Sequence, residues 1–331
     1  MDSAELQQLA AEVGLDAVGA TAATAYASTE EAIRDRASRG LFADMSFTMA
    51  RPETSCHPET LLEGARTVIS GALAYYAEGP LPASGQAALP RYTWSDAYAL
   101  LRERLEQLGA RVGGRWRVLV DENDHVDREA AARSGVGFYG KNTLIITPEH
   151  GSWVVLGALV TDVDVPVDQP LQLDCGECRI CIDACPTGAL DTPGEVDAEL
   201  CLSYWTQSRR PIPHELRPEL AQQAYGCDIC QDVCPWNRAG EKRARGRART
   251  RISQPVVELK EWLTAPDEEL KARYDRLYFP RNDVRFLRRN AIVAAGAGRD
   301  ETLRPELERL ASSDDEFLAE HADWALEQLG D

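Results

Sequence analysis

The cysteines constrain this chain more than any other feature. It reads Cys175-Gly-Glu-Cys178-Arg-Ile-Cys181-Ile-Asp-Ala-Cys185-Pro186, and later Cys227-Asp-Ile-Cys230-Gln-Asp-Val-Cys234-Pro235. The first run has the C-x2-C-x2-C-x3-C-P spacing with which bacterial ferredoxins hold iron–sulfur clusters. Counted back from Cys234, the second run lacks its first cysteine, because that position is Ala224. Cys201, between the runs, supplies the missing thiolate. In two-cluster ferredoxins the fourth cysteine of each run serves the other cluster. Cys175, Cys178, Cys181 and Cys234 then make one four-thiolate site, and Cys185, Cys201, Cys227 and Cys230 make the other, for two [4Fe-4S] clusters. Of nine cysteines only Cys56 is left over. Paired C-x2-C units also build structural zinc sites, but evenly spaced triplets ending in Cys-Pro favour iron. A disulfide framework suits short secreted domains rather than a chain of 331 residues.

Clusters move electrons one at a time, and the 165 residues ahead of them must supply the bond chemistry. That stretch mixes periodic patterns. Ser3–Val13, backed by Gly14, reads as a capped amphipathic helix, with further helices over Thr29–Arg39, Ser95–Leu108 (closed by Gly109) and Asp127–Arg133. Thr67–Tyr76, Arg117–Val120, Leu144–Thr147 and Trp153–Thr161 read as strands, the last two joined by the Pro148–Ser152 turn. Pro80–Pro90 reads as a loop. An α+β chain follows, with an N-terminal α/β domain over 1–165 and a two-cluster ferredoxin-like domain over 166–240. Residues 241–331 make a basic loop and a small helical domain, with helices over Asp283–Ala295 and Glu316–Leu329.

The net charge of −18 argues against a nucleic-acid partner, but the average misleads. From Arg238 to Arg289 there are 15 Lys/Arg against 8 Asp/Glu, a local +7 that leaves −25 for the remainder. Such segregation suggests an anionic partner docking at one place. The run Arg238–Arg251 reads as a flexible loop, and Arg281, Arg285, Arg288 and Arg289 follow at helical spacing as candidate phosphate contacts. The acidic start and the lack of an apolar run of about 18 residues point to a cytoplasmic protein with no membrane contact. Asp121, at a strand's carboxyl end before Gly135–Gly140, is either a proton donor or a turn residue. That glycine stretch is no dinucleotide fingerprint. His57, His125 and His150 read as isolated turn or surface residues, and Cys56 as a buried thiol.

Several motifs together resemble the epoxyqueuosine reductase family, in an actinobacterial form. They are the cysteine frame, Cys201-Leu-Ser-Tyr-Trp-Thr, Tyr225-Gly-Cys through Trp236-Asn237, Gly140-Lys141-Asn142 and His150-Gly-Ser-Trp153. The resemblance implies an oxidoreductase of queuosine synthesis that reduces the epoxide of epoxyqueuosine at the tRNA wobble position. It implies electrons passing through the clusters to base-off cob(II)alamin, with Asp121 at the corrin as proton donor and Ser203, Arg210 and Asp228 beside it. It implies a HEAT-like C-terminal module on the anticodon arm, a flavodoxin- or ferredoxin-type electron donor, and a monomer. A cobalamin-dependent reductive dehalogenase is the alternative. Glu122 replaces the family's hydroxyl residue after the aspartate, Ser55-Cys56-His57-Pro58 replaces its Arg-x-Pro element, and Asp96-Ala97-Tyr98 replaces Asp-Tyr-His. The contacts of the last two elements are therefore not expected here.

Overall fold

The predominantly apolar run Thr67–Ala74 is the buried middle of a four-stranded sheet in the computed structural model, which describes residues 1–122, 124–245 and 254–330. The sheet order is Ala17–Ala22, Thr67–Ala74, Val154–Thr161, Trp116–Val120, with every neighbour antiparallel. Its two central strands pair Gly71 with Gly157. A Cβ at Gly71 would stand 2.8 Å from Leu105, and one at Gly157 would stand 2.7 Å from Val120 and 2.9 Å from Leu105. The bare backbone there lets the Ala97–Val112 helix press Leu101, Leu105 and Leu108 onto the sheet beside Ser3–Val13. The opposite face packs against Asp127–Arg133 and the Tyr26–Ile33 region, burying Val68, Leu119, Ala130, Ala158 and Val160. Residues alternate between the faces with the strand period, which is why Val68 and Ile69 lie in different cores.

Three expected boundaries shift. The Ala97–Val112 helix runs through Gly109 and ends at Gly113, whose φ is 80°. Gly109 is there for close approach, since a Cβ would stand 2.7 Å from both Leu159 and Trp116. Within the expected Pro80–Pro90 loop, Gln86–Ala88 pairs with Val256–Glu258, far away in the chain. Ile145–Ile146 pairs back onto Phe138–Tyr139 rather than forward onto Val154–Thr161.

The α+β class and the helical C-terminus hold. Leu259–Thr264, Arg285–Ala297, Arg304–Ala311 and Glu316–Leu329 pack together. Their core is continuous with Leu202, Tyr204, Trp205 and Tyr225 from the cysteine segment. Arg238–Ala244 is helical rather than a loop, within Asn237–Ala244, while Arg247, Arg249 and Arg251 lie outside the described residues. Among the described residues no helix is long and apolar enough to cross a membrane.

Candidate active site

Each cysteine run folds as tight turns around a short helix, Ile180–Asp183 in the first and Ile229–Asp232 in the second. These turns point the sulfurs inward and sort them into two sets. Burial chiefly pushes the Cys181 thiol up, and next the charges of Cys234, Cys175 and Cys178. Cys227, pushed up to about 12 mainly by burial, also feels Cys201 and Cys185, and Cys230 feels Cys227 and Cys201. The two runs also come within reach of each other, since Cys230 feels Cys181 as well. Among the described residues no three His, Cys, Asp or Glu side chains converge as a single-ion site. A four-iron cluster instead takes one thiolate at each iron, so its ligands stand around a larger body. The backbone is already turned toward the sulfurs: amides of Ser203 and Tyr204 donate to Cys201, and those of Trp236 and Asn237 donate to Cys234.

The two sets differ in surroundings. All eight thiols except Cys234 keep some accessible surface. Yet burial drives Cys227 to about 12 and Cys230 well above its ordinary value. Cys227 and Cys230 are thus half-buried residues crowded by protein.

Tyrosines stand nearby. Tyr75, Tyr92 and Tyr98 are crowded enough that burial raises all three phenols, yet each remains partly accessible. Tyr75 is within electrostatic reach of Cys230, Tyr98 and Asp228, and Tyr92 of Tyr225, Tyr98 and Asp228. The Tyr92 and Tyr98 rings meet edge-on at 6.3 Å. Tyr98 and Tyr225 both feel Asp121. A group of crowded tyrosines thus stands between the Cys230 thiol and the Asp121 carboxyl. Asp228 lies beside it, where burial pushes its carboxyl up to about 6 against the opposing pull of Arg91. The Arg91 amide donates to Asp228 at 2.8 Å, and its guanidinium donates to Asp232 at 2.8 Å while stacking 5.0 Å from the Trp153 ring.

Asp121 follows the Trp116–Val120 strand with a left-handed φ of 56°, a strained conformation for a side-chain-bearing residue. Its side chain is exposed but has protein on most sides. Burial is the largest cause raising its carboxyl, followed by Asp127 and Glu122, while Arg102 lowers it. A carboxyl at a cleft mouth satisfies both observations.

The loop beyond Asp121 is clasped from several directions. Arg102 donates to Val120 O at 2.8 Å and to Glu122 at 2.9 Å. Asp124 accepts from Arg51 at 3.1 Å and from Arg117 at 3.0 Å. The Val126 amide donates to Ser55 O at 3.1 Å. His125 is buried between Tyr26 (3.3 Å) and Asp127 (3.0 Å), not a surface residue. His150 is buried too, and His57 is held between Glu30 and Glu59 at 2.9 Å each. Cys56 is a buried thiol as expected.

Ser203 lies half-buried two residues past Cys201, with its carbonyl accepting from Gln207 at 3.0 Å. Arg210 is engaged elsewhere, 2.5 Å from Glu199 and stacked 4.7 Å from Trp205. Lys141 clamps the first run, donating to Gly176 O at 2.6 Å and Cys178 O at 3.0 Å. Asn237, fully buried, accepts from the Ser152 amide at 2.7 Å and donates to Gln231 O at 2.7 Å. The motif His150–Trp153 thereby docks on the motif Trp236–Asn237. Of the arginines offered for phosphate, Arg288 donates to Trp262 O and Ala265 O, and Arg289 is fully buried. Those two face inward, because neighbouring helices cover the side of Arg285–Ala297 that carries them.

Comparison with known proteins agrees with this geometry. Residues 174–237 match the model of a 4Fe-4S double cluster binding domain. An epoxyqueuosine reductase of Lactococcus garvieae (strain Lg2) is 32% identical over 336 residues, 98% of this chain and 95% of the relative. A crystal structure of epoxyqueuosine reductase with an epoxyqueuosine-modified tRNA-Tyr stem loop superposes with a TM-score of 0.89 at 31% identity, over 99% of this chain and 90% of that one. A Bacillus subtilis epoxyqueuosine reductase, whose aspartate-bearing catalytic loop is swung out of its active site, superposes with a TM-score of 0.88 at 30% identity over 99% and 90%. Sharing their length, fold and double-cluster segment, the chain belongs to the epoxyqueuosine reductase family.

Proposed function

We propose that this protein reduces the epoxide of epoxyqueuosine in the wobble position of tRNA to the alkene of queuosine, with Asp121 as proton donor. The observation that carries the reading is the group of tyrosines between the cysteine segment and Asp121, with Tyr75 within reach of Cys230 and Tyr98 within reach of Asp121. The reaction consumes two electrons and two protons and releases the epoxide oxygen as water. A carboxyl kept protonated near neutral pH can protonate that leaving oxygen, and crowding by protein, Asp127 and Glu122 raises the carboxyl of Asp121 in the required direction.

The residues present fit both cofactors. Cys175, Cys178, Cys181 and Cys234 would hold one [4Fe-4S] cluster, and Cys185, Cys201, Cys227 and Cys230 the other. A group of half-buried, crowded tyrosines suits a broad planar macrocycle such as cobalamin, with Asp228 and Ser203 at its border, whereas Arg210 is held by Glu199 and Trp205. When bound in base-off form, cobalamin supplies a strongly reducing cobalt for C–O cleavage. Tyr92, Tyr98 and Tyr225 crowd this site and limit water around the Asp121 proton. On this reading Cys185, Cys201, Cys227 and Cys230 would hold the cluster nearer the corrin, since Tyr75 is within reach of Cys230, and the other four would hold the cluster nearer the electron donor. The reading further takes a flavodoxin- or ferredoxin-type carrier as donor, a monomer, and a cytoplasmic setting. It takes 1–165 as the catalytic unit, whose sheet core ends at Val165, 166–240 as the cluster unit and 241–331 as the tRNA unit. The last two share a core, so that division is one of role.

Anaerobic reconstitution tests the cofactor reading. About eight irons and eight sulfides per chain are expected, with a shift of the visible bands when cobalamin is added. Zinc without sulfide, or no corrinoid binding, would overturn it.

A further inference from the structure

Phe47 and Tyr278 are both well exposed, at 41% and 52%. Their rings nevertheless meet edge-on at 5.9 Å, although 231 residues of sequence separate them. Tyr278 turns outward between buried Leu277 and Phe279. Three residues on, Arg281 and Asn282 take consecutive left-handed φ values of 55° and 54°. Arg281 is exposed, so no packing demand on its side chain accounts for the strain.

Both rings belong to segments that contact the surroundings of Asp121. The Tyr278 carbonyl accepts from the Tyr225 hydroxyl at 2.7 Å, and Tyr225 feels Asp121. Phe47 caps the short turn Thr48–Ala50, next to Arg51, which donates to Asp124 in the loop beyond Asp121. The pair therefore joins the segment that carries Tyr225's partner to the segment that holds the loop beyond Asp121.

We propose that Phe47 and Tyr278 form a stacking platform for an unpaired nucleobase next to the wobble nucleoside, with Arg281 beside it for the adjoining phosphate. The inference rests on the reading of the surroundings of Asp121 as the site of a tRNA wobble nucleoside. An anticodon loop that brings one nucleoside to Asp121 lays its neighbours across the adjoining surface. Unpaired bases there find aromatic faces, the contact by which single-stranded RNA is commonly held. An exposed ring pair of this kind is otherwise an unrewarded apolar surface.

The test uses reconstituted holoprotein and an anticodon stem-loop RNA with guanosine at the wobble position, with binding read by fluorescence anisotropy. Phe47→Leu and Tyr278→Leu should each weaken binding about fivefold or more, while Phe47→Trp retains it. The slope of log affinity against log salt should not change, because no phosphate contact is lost. A stem-loop made abasic on both sides of the wobble position should lose the same factor with the wild type and lose nothing further with the Leu variants. Wild-type affinity in both Leu variants would overturn the platform. So would an equal loss toward intact and abasic RNA, or a reduced salt slope. Unchanged cluster absorbance shows that each variant is folded. Turnover of epoxyqueuosine RNA by the wild type separates the two ideas: its absence, with ring-dependent binding intact, overturns the functional reading and leaves the platform standing.

Discussion

At the scale of single residues, the proposed chemistry rests on the Asp121 carboxyl, whose pKa is raised chiefly by burial. Asp121→Asn keeps the shape and removes the proton, so turnover should fall about 100- to 10,000-fold with iron content unchanged; near-normal turnover would remove Asp121 from the reaction. The pH profile offers a finer check. In the proposed reaction protonated Asp121 is the active form, so the rate should fall as pH rises through its pKa. Arg102 is the group that lowers that pKa. Arg102→Leu should move the alkaline limb to higher pH, and an unmoved limb would contradict the assignment. His57 behaves oppositely, as a cation. Hydrogen bonds to Glu30 and then Glu59 raise its pKa. The stability it contributes is therefore complete below its unfolded value of about 6.5 and is lost as pH rises through the folded one. His57→Gln should lower the melting temperature at pH 6 and match the wild type at alkaline pH.

At the scale of elements, the buried Arg289 shows how the terminal helices support the clusters. From Arg285–Ala297 it donates to Trp205 O at 2.9 Å, Ser208 O at 2.8 Å and Arg210 O at 2.8 Å, and Asn290 donates to Thr206 O at 2.8 Å. These carbonyls end the Leu202–Gln207 helix, whose start is Cys201, and a cation there complements the helix dipole. Arg289→Met would leave buried carbonyls unpaired, at about 1–3 kcal/mol for each. The urea midpoint should drop clearly, and an unchanged midpoint would show that the carbonyls find other partners. The loop after Asp121 is the second supporting element. Asp124→Ala frees it from Arg51 and Arg117, so kcat should fall by up to about 100-fold through misplacement with KM little changed; a rise in KM alone would argue for a substrate contact instead. Local signals made some elements legible in advance. Gly14 closes Ser3–Val13, and Glu316–Leu329 and Asp127–Arg133 stand where their patterns put them. Gly109 misled, because a glycine that admits a neighbouring Trp116 ring looks the same in sequence as one that stops a helix. Helical spacing likewise did not tell which face of Arg285–Ala297 neighbours would cover.

At the scale of the molecule, the cysteine arithmetic was legible because ligand spacing is local, whereas the grouping of tyrosines was not. It draws on Tyr75, Tyr92, Tyr98, Tyr225 and Asp228, and no period or motif links those segments. What assembles them is the docking of Ser152 and Trp153 on Asn237 and Glu241, together with the core shared by the cysteine segment and the terminal helices. The most direct test is mass spectrometry of the nucleosides of an epoxyqueuosine-bearing stem-loop after anaerobic incubation with reductant, cobalamin and reconstituted protein. The wild type should convert epoxyqueuosine to queuosine, while Asp121→Asn, with its clusters intact, leaves it unconverted. Epoxyqueuosine left untouched by the wild type, or queuosine formed at the same rate by the variant, would contradict the account.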